Sequence, residues 1–360
     1  MASQCPSGRR LRAFGPGRPG RRLRAISLAP LAAALFLAAA APPACPQPAS
    51  PPAPGGQGGE AAAPVKLKIG LLPVADTVLV IAAAERGFFA GKGLDVELVN
   101  FQSAVEKDAA AVAGSLDGHF CEIISAIVQQ ASGRDFRLAA VTSATSRERR
   151  MFGLVTSPNP GGTGLESLRG KTLLTARQTI TDFLADVFWK ARGLPEDFMA
   201  RRDVRKIPVR MQLLLSGQAE ATLIPEPMLS VAEGAGGAVL MDDRELPDMP
   251  LAAVALSGSL SPAVFAAFRE ALSLSVAWVN SDPAAAKALM AERGLVPPQL
   301  LETYRLPAFD PARVPGILPD EALYGEYVSY LQRIGVLAGG PQGGGLPVPR
   351  YADVVPSPGR

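Results

Sequence analysis

Between Val65 and Gln102 the hydrophobic pattern changes period twice. Lys66 to Leu72 alternates and then runs apolar, which predicts a buried strand stopped at Pro73. From Asp76 the spacing becomes helical: Val80, Ile81 and Ala84 share a face, Asp76 or Thr77 stands where a cap belongs, and Gly87 lies past the end. Leu94 to Val99 alternates again behind the turn Gly91-Lys92-Gly93. Strand, helix and strand at this spacing predict two parallel strands with the helix crossing over them. Ligands of open α/β sheets bind beyond the carboxyl ends of such strands. That edge makes Pro73, Asp76, Thr77, Gln102 and Ser103 candidate binding residues, beside the N–H groups of a helix N-terminus.

The same alternation of periods continues down the chain. Glu106 to Ala113 reads as a helix, Leu116 to Val128 as a strand running into a helix, and Arg137 to Thr142 and Phe152 to Thr156 as strands. Lys171 to Thr175 predicts a strand leading to a helix that ends near Trp189. At its start Arg177, Thr179 and Thr181 offer a guanidinium and hydroxyls, which fit an anion or a carbonyl. A helix over Val209 to Ser216 and a strand over Glu220 to Ile224 lead to Pro225-Glu226-Pro227, where two prolines fix the backbone and present Glu226 on a rigid turn. Strands follow at Val239 to Met241 and Leu251 to Leu256, then helices at Pro262 to Asn280, Asp282 to Glu292 and Glu321 to Ile334. Phe265, Phe268 and Trp278 fall at helical spacing, a core pattern.

Three stretches carry a family resemblance. G-L-L-P-V-A-D from Gly70 with A-E-R-G-F-F-A-G-K-G-L-D-V-E-L-V from Ala84, the segment Gly164 to Thr175, and G-Q-A-E-A followed by P-E-P from Gly217 resemble the periplasmic solute-binding proteins of ABC importers. The group concerned takes up sulfonates, taurine, nitrate or thiamine-pyrimidine precursors. The resemblance spans residues 66 to about 338. It implies an α/β fold of the type II periplasmic-binding-protein class, with two lobes, two crossings and a ligand cleft between them. It also implies that Pro225 and Glu226 face the cleft, and that the loop after the third strand touches the solute, with Cys121, Glu122 and Ser125 as candidates. The implied partners are a small-molecule solute, a permease and its ATPase, and the protein itself is expected to be a monomer without a cofactor.

Composition changes this picture mainly at the N-terminus. Residues 1–24 hold seven arginines and no acid, and Ala25 to Ala41 is continuously apolar, so 1–41 reads as a secretory signal peptide and 42–64 as a Pro/Gly/Ala-rich tether. Sec and twin-arginine export both stay open. So do release as a soluble protein, an uncleaved anchor, and lipid attachment at Cys45, where Pro42 replaces the aliphatic residue that lipoprotein processing prefers. Taking the seven Arg and one Glu of residues 1–64 from 36 Lys+Arg and 33 Asp+Glu leaves 29 against 32. The basic balance therefore belongs to the leader, and no nucleic-acid surface is indicated.

The rest divides as lobe one over 65–155, lobe two over 156–250, a return to lobe one over 251–340 and a tail over 341–360. Cys121 is left without a disulfide partner beyond the leader, and His119 two residues before it raises a Cys-His dyad; one His and one Cys make no metal site. The expected function is an extracytoplasmic solute-binding component of an ABC importer, not an enzyme. The competing reading is an enzyme of pyrimidine- or menaquinone-precursor synthesis on the same fold. Asp76, Glu226 and Glu122 against the one base Arg177 favour a ligand that donates hydrogen bonds, such as an aminopyrimidine, over a sulfonate or nitrate.

Overall fold

The computed structural model describes residues 63–246, 248–306 and 308–356. The leader, Cys45 and nearly all of the tether lie outside the described residues. The chain builds two five-stranded mixed sheets, one per lobe. In lobe one, β1 (Val65–Leu71) buries Leu67, Ile69 and Leu71 and turns Lys66 and Lys68 outward, following its alternation. It lies parallel to β2 (Leu94–Asn100) and β3 (Gly118–Glu122). Between them run α1 (Val78–Glu85) and α2 (Ala104–Val112), and α3 (Ile123–Ala131) leads on to β4 (Phe136–Ala144).

One detail of the opening unit differs from the sequence reading. Thr77 takes the N-cap position of α1, after a short 3-10 turn at Ala75–Thr77, but its side chain makes no capping hydrogen bond, and Asp76 stands one residue too early. Residues 78–83 are all buried, so this helix is surrounded by protein, and the two polar side chains bond to buried neighbours instead. Thr77 Oγ1 donates to the Val74 carbonyl at 2.7 Å, and Thr142 Oγ1 donates to Asp76 Oδ2 at 2.8 Å.

Lobe two holds β5 (Phe152–Thr156), β6 (Thr172–Thr175), α4 (Ile180–Ala191), β7 (Ala200–Asp203), α5 (Ile207–Leu215), β8 (Ala221–Pro225), α6 (Met228–Gly234) and β9 (Val239–Asp242). The return strand β10 (Pro250–Ser257) rejoins the first sheet, and α7 (Pro262–Ser281), α8 (Pro283–Glu292), α9 (Glu321–Arg333) and α10 (Tyr351–Val354) follow. The strand orders are β2-β1-β3-β10-β4 and β7-β6-β8-β5-β9. Each sheet thus admits one antiparallel strand next to its edge, and in each it is the strand that follows a crossing, β10 or β5.

The lobe bounds read from the sequence, at 155/156 and 250/251, put the crossings within Phe152–Thr156 and at the start of Leu251–Leu256, and the structure moves both. Those segments are buried strands with ladder partners on both sides. The chain changes lobes in the polar linkers 145–151 and 243–249 just before them. Asp243 ties the linkers together, its Oδ1 accepting from the Met151 N–H at 2.8 Å and the Phe152 N–H at 3.1 Å.

Helix α7 is long and apolar enough to cross a membrane. Here it packs on α1: Phe268 meets the Phe89 ring at 4.9 Å and Ser275 Oγ donates to the Leu79 carbonyl at 2.6 Å. Helix α9 reaches across to lobe two. Tyr330 donates to Asp182 Oδ2 at 2.8 Å and Arg333 pairs with Asp186 at 2.6 Å, both acids standing on α4.

Candidate functional site

The carboxyl ends of the central strands in both sheets face each other, and a narrow cavity lies between them. Lobe one contributes Leu72, Val74, Ala104, Phe120, Glu122 and Ala252, and lobe two contributes Phe152, Ala176, Thr179, Ile180, Thr181, Ile207, Arg210 and Pro225, with Arg205 at the edge. About 30 Å³ is open to the centres of water-sized molecules, room for about two waters. This is a closed cleft, and the lobes touch around it. The Ala75 N–H donates to the Glu226 carbonyl at 2.8 Å, the Ile207 N–H to the Gln102 carbonyl at 3.4 Å, and Lys206 pairs with Glu106 at 3.1 Å.

Arg210 dominates the electrostatics of the cavity. It stands on the inner face of α5 with Ile207, Met211 and Leu214 and is 2% exposed. Nη1 donates to the Val204 carbonyl at 3.0 Å, whereas Nε is buried with no partner among the described residues. Burial pulls its guanidinium down to about 10, with Glu122 and Asp203 acting in the opposite direction. A buried guanidinium nitrogen without a partner is costly unless something accepts from it, and an acceptor of negative charge offsets most of that cost. The N-terminus of α4 adds to the same field. Thr179 is its N-cap, and Thr179 and Thr181 bring their hydroxyls together at 3.1 Å.

Glu122 is the acid of the cavity. It ends β3 and is 7% exposed, and burial lifts its carboxyl above the usual range, opposed by Lys107. Behind it Ser125 Oγ lies 3.2 Å from Glu122 Oε2 and 2.9 Å from Asp108 Oδ2. Lys107, fully buried, is bonded to Asp108 and lies 2.9 Å from His119 Nδ1.

The structure thus brings Glu122, Thr179, Thr181 and Pro225 together and leaves the other sequence candidates elsewhere. Pro73 is half-buried next to two lining residues. Asp76 and Thr77 bond inward, and burial pushes the Asp76 carboxyl up to about 7. Gln102 is exposed, and Ser103 caps α2 by accepting from the Glu106 N–H at 3.2 Å. Ser125 lies behind Glu122, and Arg177 is exposed with its backbone N–H on Asp203. Glu226 faces away from the cavity lining into a polar groove. Arg150 Nε at 2.9 Å and Ser230 Oγ at 3.0 Å hold its carboxylate there, and the Glu226–Pro227 peptide is cis. The case for a hydrogen-donating ligand therefore loses two of its three carboxylates, because buried Asp76 and Glu226 are satisfied within the protein.

Arg210 escaped the sequence reading although a signal was present. In I-P-V-R-M-Q-L-L-L it falls three residues after Ile207 and four before Leu214, on the stripe that must face inward. The suspected Cys-His dyad is core: Cys121 and His119 are fully buried, burial raises the thiol, and burial drops the imidazole to about 3.

Two mixed lobes joined by two linkers over a largely apolar cleft are the plan of the periplasmic-binding-protein fold. Comparison with known proteins finds the same fold. Residues 60–147 match the model of the NMT1-like family. The fold is shared with the alkanesulfonate-binding protein SsuA of Xanthomonas axonopodis, at 19% identity over 76% of this chain and 92% of that one, TM-score 0.60. It is also shared with the ligand-binding component of an ABC-type import system from Staphylococcus aureus, solved with zinc bound, at 15% identity over 81% and 96%, TM-score 0.61. The nitrate-binding protein NrtA of Synechocystis aligns at 18% identity over 64% and 66%, TM-score 0.55. No curated protein sequence matches the chain.

Proposed function

We propose that this chain is the extracytoplasmic solute-binding component of an ABC import system, which captures a small organic solute between its lobes and hands it to a permease driven by a separate ATPase. The observation that carries this reading is the buried Arg210, one nitrogen unpartnered, in the wall of a cleft that both lobes close. Solute capture explains why a folded protein keeps such a group: the ligand supplies the missing acceptor. The cleft is otherwise largely apolar, so the solute is a compact molecule with one anionic or strongly accepting end and little other polarity.

A binding role also accords with where the nucleophile-like groups sit. His119 and Cys121 lie in the core of lobe one, outside the cavity lining. The export signal read in residues 1–41 fits a periplasmic or secreted location.

Calorimetry with simple alkanesulfonates, taurine, nitrate and aminopyrimidines tests the reading. A solute with an anionic end is expected to bind the wild type, and Arg210→Leu to weaken that binding by about 1.5 to 3 kcal/mol while the fold survives. Tight binding that Arg210→Leu leaves unchanged, or chemical conversion of the bound solute, contradicts it.

A further inference from the structure

The hydrogen-bond geometry behind Glu122 assigns it a protonation state. Ser125 has one hydroxyl hydrogen and two carboxyl oxygens within reach, Asp108 Oδ2 at 2.9 Å and Glu122 Oε2 at 3.2 Å. Shared between two carboxylates it makes only a weak three-centre bond; given wholly to one, it leaves the other contact to be met by a second proton. Lys107 decides between them. Its ammonium is bonded to Asp108 and lies 2.9 Å from His119 Nδ1, which must then be the accepting nitrogen of a neutral ring whose Nε2–H donates to Gln129 Oε1 at 2.8 Å. Asp108 is therefore a carboxylate, and its Oδ2 takes the serine hydrogen. The remaining contact, between Ser125 Oγ and Glu122 Oε2, becomes a full hydrogen bond when Glu122 carries a proton and donates it.

We infer that Glu122 is a neutral carboxylic acid, facing the Asp108 carboxylate across Ser125 within its own lobe, and that this proton lets the closed cleft accept a monoanion at Arg210. With Glu122 neutral, Arg210 leaves the cavity positive; with Glu122 ionised, the cavity is balanced and a second negative charge is repelled.

The charged groups around Glu122 divide: Asp108 and Asp76 disfavour a charge on it, whereas Lys107 and Arg210 favour one. On its own strand His119 and Cys121 are buried and neutral; on α2 Lys107 and Asp108 pair with each other and Glu106 pairs outward with Lys206. From the 3-10 turn before α1, Asp76 adds a raised carboxyl that disfavours a charge on Glu122. From lobe two, Arg210 faces the cavity, Arg205 at its edge is paired with Asp203, and Asp182 on α4 is bonded to Arg201 and Tyr330. β10 brings only Ala252 to the lining.

This inference rests on the proposed seat of the solute at Arg210, and the experiment separates the two. The infrared difference spectrum of wild type minus Glu122→Gln at pH 7, with no ligand present, is expected to show the C=O band of a carboxylic acid. Calorimetric titration with acetate, nitrate and ethanesulfonate from pH 5 to 9 is expected to show wild-type affinity falling about tenfold per pH unit once Glu122 ionises, and a flat profile for Glu122→Gln. Absence of the acid band overturns the inference outright. A band with pH-independent anion binding overturns the proton linkage while the seat at Arg210 stands. A band with none of these anions bound at any pH overturns the monoanion assignment, and the seat at Arg210 falls with it.

Discussion

Arg210 and Asp76 show how burial gives two ionisable side chains opposite roles. Arg210, in the cavity wall, keeps a buried Nε with no partner among the described residues, whereas Asp76 is sealed under Thr142 and raised to about 7. A carboxyl whose pKa is higher in the folded than in the unfolded chain binds its proton more tightly when folded. Its contribution is therefore fully present below about pH 4 and is lost as pH rises to about 7. From 3.8 to about 7 the loss is roughly 4 kcal/mol at most, since each unit is worth about 1.4 kcal/mol. Asp76→Asn, which cannot ionise, is expected to lose less stability than wild type between pH 4 and pH 8 in urea unfolding, and equal losses would contradict the assignment. The sequence offered Asp76 as a loop acid at a strand end and gave no hint that Thr142, 66 residues later, would bury it. Arg210 was legible only as a charge out of place on an apolar stripe.

Single elements were legible wherever one period held for a whole segment. β1, β2 and their crossover helix emerge as read because alternation and helical spacing switch cleanly at Pro73 and Gly93. The crossings were not, because a buried strand that enters a new sheet and one that stays in its own present the same apolar run. Phe152–Thr156 and Pro250–Ser257 are such strands, and the linkers before them are held by Asp243. Asp243→Ala leaves two buried N–H groups without their acceptor and is expected to cost about 2 to 4 kcal/mol in urea unfolding. A loss within about 0.5 kcal/mol would show that the linkers need no such tie.

At the scale of the whole molecule, the two-lobed plan followed from repeated βα units and family-like segments, while the composition of the cleft did not. Its walls come from residues as far apart as Leu72 and Ala252, and only the fold brings them together. The closed cleft admits about two waters, so any solute must enter through an open state in which Ala75–Glu226, Gln102–Ile207 and Glu106–Lys206 are parted. Small-angle scattering on residues 63–360, titrated with the solute that calorimetry identifies, tests capture by closure most directly. The radius of gyration is expected to fall and level off at one solute per chain. A radius that stays constant through saturation would contradict a cleft that closes on its ligand.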